Sequence, residues 1–121
     1  MNKELKVVVK KVGKQPTVET IEDTLKAKQQ LVNGLIEIVP ANEEILIVCN
    51  EEAKLLNMKP NLFLGYDYIA GDCFFVGDDY KNAGFKSLTD EQIKEVEKII
   101  EERNVLYFES EQEENSKERE L

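Results

Sequence analysis

GLIEIVPANEEILIVCN, residues 34–50, holds two β-branched apolar runs, 35–39 and 45–49, on either side of Pro40-Ala41-Asn42-Glu43-Glu44. Runs of that length, rich in Ile and Val, suit a pleated, half-buried surface rather than a helix. A short polar connection containing turn-forming residues makes the pair a β-hairpin. The second run has no polar residue from Ile45 to Cys49, so it is expected as a strand covered on both faces, and the pair as the middle of a small sheet.

Working outward, Leu5, Val7 and Val9 alternate with Lys6, Val8 and Lys10, and Gly13 to Pro16 punctuate before Thr17 to Thr20. Residues 4–20 therefore read as an antiparallel hairpin at a sheet edge, with lysines that discourage foreign pairing. Residues 22–32 are expected as the first helix, with Ile21, Leu25, Leu31 and Val32 on its apolar face, interrupted by Lys28. Asn33-Gly34 supplies its stop. Asn50 caps one or two helical turns ending before Pro60, with Leu55, Leu56 and Met58 tucked under the sheet. Residues 61–67 read as irregular and 68–77 as one strand, with Gly71 at a bulge or close approach. A polar loop follows over 78–84. Thr89 and Gln92 form a capping box, with Leu88 and Ile93 as its staple, opening a helix over 90–103. Ile93, Val96, Ile99 and Ile100 form its inner face. Residues 105–108 add a last short strand or a tether.

The expected fold is α+β: a small mixed, mainly antiparallel sheet of about five strands packed by two helices. Residues 1–108 form one domain. Residues 109–121, with six acids against two bases, form a flexible acidic C-terminal tail.

The 121 residues carry a net charge of −9 and no histidine. The charge argues against direct nucleic-acid binding, which rests on clustered Lys and Arg. Without histidine the commonest general base and every Ser-His or Cys-His nucleophile are missing. Cys49 and Cys73 lie in apolar runs and read as reduced, buried thiols; a zinc site would need further ligands. The start lacks a secretory h-region and no apolar run reaches membrane-spanning length, which points to a cytoplasmic protein. The acidic pairs Glu43-Glu44, Glu51-Glu52 and Asp78-Asp79 sit at turns without calcium-loop spacing, and the six glycines make no phosphate cradle. No catalytic residue, metal site or cofactor is therefore expected. Asn50 and Asn61 bracket the most irregular part of the chain, and Tyr68 and Gly71 stand close by in sequence. These four residues, Asn50, Asn61, Tyr68 and Gly71, form the candidate ligand-binding set, with structural duty as the rival role of the asparagines.

The segments LIEIVP (35–40), IVCNEEAKL (47–55), PN (60–61), IAGDCFFVG (69–77) and FKSLTDEQI (85–93) together resemble a family of small domains of unknown function carried by bacteriophages, plasmids and other bacterial mobile elements. The resemblance spans residues 5 to about 103. Two positions depart from it: Lys28 stands where an apolar residue is expected, and Ala53 where glycine is common. It implies a non-catalytic accessory protein of the bacterial cytoplasm that acts by binding, countering host defence by inhibiting a defence protein or sequestering a nucleotide signal. The partner would be a host protein or a nucleotide-type small molecule. One alternative is an acidic decoy that occupies the DNA site of a host protein; another is an uncharacterised enzyme. Edges at 5–10 or 105–108 could pair between copies, leaving a homodimer open.

Overall fold

The computed structural model describes residues 3–107. In chain order the elements are β1 (Glu4–Lys10), β2 (Thr17–Glu22), α1 (Leu25–Val32), β3 (Ile36–Pro40), β4 (Ile45–Asn50), β5 (Pro60–Phe63), β6 (Tyr68–Ala70), β7 (Cys73–Asp79), β8 (Gly84–Lys86) and α2 (Asp90–Arg103). The main sheet runs β2-β1-β7-β4-β3, with β8 also on β7, while β5 and β6 form a separate two-stranded sheet. Every strand pairing is antiparallel, and the class is α+β as expected.

Side-chain alternation divides the core into two layers. Leu5, Val7, Val9, Val48, Phe74 and Val76 pack under Val32 of α1. On the opposite face Val8, Ile45, Ile47, Cys49, Cys73 and Phe75 meet Val96 and Ile100 of α2, together with Leu62 and Ile69 of the small sheet. β4 is thus covered on both faces, as its unbroken apolar run required. It is not the centre of the sheet, however, and β3 is an outer edge. The middle strand is β7, where Cys73 to Gly77 are all buried. Gly77 fits there because β8 crosses so closely that a Cβ would stand 2.8 Å from the Lys86 carbonyl oxygen.

The hairpin β1–β2 forms, but only β2 lies at the edge; β1 is enclosed between β2 and β7, so residues 5–10 have no free edge to offer a second copy. α1 is shorter than expected at its start, because β2 continues to Glu22 and Thr24 caps the helix by accepting from the Ala27 amide at 3.1 Å. Asn33, not Gly34, takes the left-handed conformation that ends it. Lys28 is no gap in the apolar face. It is buried, bonded to Asp23 Oδ1 at 2.6 Å, and its ammonium lies 4.8 Å from the centre of the Phe85 ring. The capping box of α2 is present in both directions, Gln92 N to Thr89 Oγ1 at 3.1 Å and Thr89 N to Gln92 Oε1 at 3.0 Å.

Residues 51–57 form turns rather than a helix, and Leu55 and Leu56 are exposed instead of tucked in; Ala53 is the residue buried there. The expected strand over 68–77 is two strands in different sheets, and the expected irregular stretch contains β5. Asp78 and Asp79 belong to β7, and β8 follows a turn. Residues 104–107 act as a tether: Asn104 bridges to Leu62, and the Val105 amide donates to the Asn61 carbonyl at 3.0 Å. Phe108 and the tail at 109–121 lie outside the described residues.

Candidate functional site: a lysine-lined cleft over a buried amine

The four sequence-selected residues do not converge on one pocket. Asn50 is buried and fully used: its Nδ2 donates to the carbonyls of Val32 (3.0 Å) and Asn33 (3.2 Å), and its Oδ1 accepts from the Glu52 amide at 2.6 Å. It thereby satisfies the end of α1 and starts the 51–57 turn. Gly34 lets this happen, since a Cβ there would stand 2.8 Å from Asn50 Nδ2. Asn61 is equally committed, donating through Nδ2 to the carbonyls of Lys10 and Gly71, both at 2.8 Å, while its Oδ1 accepts from Lys10 Nζ at 2.9 Å. Gly71 sits where the chain crosses from β6 to β7, at φ +79°, with Met58 Sδ 2.7 Å from where a Cβ would be. Asn61 and Gly71 are thus joined by a hydrogen bond, as structure rather than as an open site.

Asn50 and Tyr68 do share the lining of a cavity of about 260 Å³, with Glu37, Cys49, Lys54, Leu55, Tyr66 and Asp67. Lys54 bonds Asp67 Oδ1 at 2.5 Å and lies 4.4 Å from the centre of the Tyr68 ring. That hydrogen bond raises the Lys54 pKa and lowers that of Asp67. Burial pushes the Cys49 thiol up to about 12, helped by the Glu37 carboxylate, and pushes Cys73 up further, so neither is a ready nucleophile.

The residue that sequence reasoning missed is Lys10. On β1 it looked like an edge lysine, but it lies on the face of Val8, beneath the tether and β5. It is 0% exposed. Its Nζ donates to the Lys11 carbonyl and to Asn61 Oδ1, each at 2.9 Å. Both acceptors are neutral, and among the described residues no carboxylate comes within ion-pair distance of it. Desolvation lowers its pKa, opposed at ordinary pH by the charge of Asp72. The sequence signal was Asn61 itself, a polar side chain in an otherwise apolar strand.

Lys10 lines a cleft of about 810 Å³ between the β1–β2 turn, the outer half of α2 and the tether. Lys14 comes from the turn, and Lys94 and Lys98 from α2 at helical spacing, against Glu97 and Glu101. The cleft therefore has four cationic side chains to two anionic ones, in a chain whose net charge is −9. Asn104 also lines it, and its Oδ1 is buried without a hydrogen-bond partner among the described residues. Such a wall can hold an anion, and a buried orphan acceptor can take a donor from a ligand.

The profile of the domain of unknown function DUF3846 matches residues 5–101. The chain belongs to the DUF3846 family. The matched span contains both helices nearly whole, both core layers and Lys10, Asn50, Asn61 and Gly71; it stops before Asn104 and the rest of the tether. No curated protein matches this DUF3846 chain. No solved structure matches it either. Among the described residues no helix is long and apolar enough to cross a membrane.

Proposed function

We propose that this DUF3846 protein works by binding, and that the lysine-lined cleft takes an anionic, nucleotide-type small molecule. The observation that carries this reading is the local inversion of charge. An acidic chain places Lys14, Lys94 and Lys98 around a cleft whose floor includes the buried Lys10, held by two neutral acceptors. A phosphate in the cleft would meet the exposed ammonium groups of Lys14, Lys94 and Lys98, and a ribose hydroxyl or base amine could donate to Asn104 Oδ1. The resemblance to proteins of phages and other mobile elements supplies the setting: an accessory protein of the bacterial cytoplasm that withdraws a nucleotide signal from host defence. A non-catalytic role is favoured by the two high-pKa thiols and the missing histidine. The mixed charge of this cleft weighs against its serving the acidic-decoy alternative, which needs acids arrayed on one face at phosphate-like spacing.

Calorimetric titration with ADP-ribose and cyclic dinucleotides tests the reading. One of these should bind, and the double substitution Lys14→Ala/Lys98→Ala, at exposed positions, should weaken binding at least tenfold. No heat with any of them, or equal affinity in the double variant, refutes it. A second reading, inhibition of a host defence protein, is favoured by Tyr66 (100% exposed) and Leu55 (82% exposed), which share the smaller cavity. Loss of a host partner on Tyr66→Ala, with nucleotide binding intact, would favour it.

A further inference from the structure

β3 closes one side of the main sheet, and which of its backbone groups face outward follows from the hydrogen bonds next to it. The Ala41 amide donates to the Ile45 carbonyl and the Glu51 amide to the Leu35 carbonyl, both at 2.8 Å. Val39 pairs with Ile47 and Glu37 with Cys49 in the same register. Antiparallel pairs alternate between bonded and non-bonded, so residues 35, 37, 39 and 41 turn their amides and carbonyls inward to β4. Ile36 and Ile38 turn theirs outward, and Pro40, which has no amide to offer, turns out a carbonyl. No described residue bonds to these outward groups. Ile38 is 46% exposed beside them, and Leu35 is exposed at the strand's entry.

We infer that β3 pairs with β3 of a second copy of this chain, antiparallel and centred on Ile38. In that register the two Ile38 residues exchange both backbone hydrogen bonds, and each Ile36 amide meets the Pro40 carbonyl of the other copy. Pro40, which would interrupt an ordinary ladder, sits where only its acceptor is used. This register also avoids a repulsion between like charges. It places Glu37 opposite Val39, whereas a shift to a Glu37-centred pairing sets two carboxylates face to face, which is destabilising. It also sets Ile38 against Ile38 and Leu35 against Ala41, covering apolar surface that the monomer leaves in water. The two-fold axis stands perpendicular to the sheet, so each copy keeps α1 on the same side. The smaller cavity, which includes Glu37 and Val39, then borders the seam in both copies. This assembly is independent of what the lysine-lined cleft binds.

A short edge seam is smaller than a standard interface, so the association should depend on concentration. Sedimentation equilibrium on the full chain should show the mass rising from 13.9 kDa toward twice that value as concentration increases through the micromolar range. Ile38→Lys and Ile38→Glu should each stay monomeric, with native circular dichroism. Mixing the two should restore the doubled mass, because lysine then faces glutamate across the axis. In the native chain, hydrogen exchange should show protection of the Ile36 and Ile38 amides growing with concentration, while Glu37 and Val39 are protected throughout. A native mass that stays at one chain, an Ile38→Lys chain that associates as well as the native one, or Ile36 and Ile38 amides that exchange freely at the highest concentration would each overturn the inference.

Discussion

Asn61→Ala tests whether the amide in β5 is a fastener or a ligand contact. The native side chain satisfies three buried groups at once: the Lys10 ammonium, the Lys10 carbonyl and the Gly71 carbonyl. All lie in a region where Asn61 and Lys10 have no exposure to water. Each orphaned buried group costs about 1–3 kcal/mol, more for a charged one. Partial relaxation and water entry bring the combined loss to about 3–6 kcal/mol. Domains of this size are stable by about 5–15 kcal/mol, so the variant should sit near the edge of folding. Asn61→Asp separates the contributions: it keeps an acceptor for the amine but turns an acceptor toward two carbonyls, and should lose stability as well. Urea unfolding followed by circular dichroism gives the change as a shift in midpoint at constant slope. A loss under about 1 kcal/mol for Asn61→Ala would refute the fastener role and return Asn61 to the list of ligand residues.

Asp23→Ala should cost about 3–5 kcal/mol at most, less in proportion to Asp23's own partial exposure, because it strands the buried Lys28 ammonium. Lys28→Met should be near neutral by the same unfolding assay, since the flexible thioether fills the apolar face and removes the charge. Both cysteines should resist a thiol reagent at pH 8 in the folded protein and react fully in urea. Their thiols hold protons more firmly folded than unfolded, so stability should fall as pH rises above the ordinary thiol range of about 8.5 toward about 12 for Cys49. Lys10 has the opposite sign: the folded amine holds its proton less firmly than the unfolded one. The native chain should therefore gain on Lys10→Met as pH rises toward about 10.4, the ordinary lysine value, and the gap should stay constant well below the folded value. Urea midpoints of the two proteins from pH 7 to 10.5 give this comparison.

Local chemistry was enough for several elements. The β3–β4 hairpin is legible in its two apolar runs, and β4's two-sided burial in its unbroken composition. The α2 start is legible because Thr89 and Gln92 satisfy each other's backbone amides within one turn. The end of α1 is set locally, where the amides of Asn33 and Gly34 both donate to the Gln29 carbonyl. These features depend on spacing along the chain, which a sequence displays directly.

Strand order does not work that way. Nothing local says that β7 rather than β4 lies in the middle, because both are apolar enough to be covered twice and the choice rests on which partners arrive from distant parts of the chain. Lys10 and Lys28 mislead for the same reason. A lysine in sequence looks solvated, and the burial of these two also depends on distant groups: Asn61, fifty-one positions from Lys10, and Phe85 of β8 over Lys28. The sequence by itself determined the β3–β4 hairpin, the start of α2, the class and the absence of histidine chemistry. Tertiary structure alone decided that Asn50 and Asn61 are spent on backbone groups, and that lysines from β1, the first turn and α2 gather around one cleft, because both outcomes depend on contacts between segments that the chain order keeps apart.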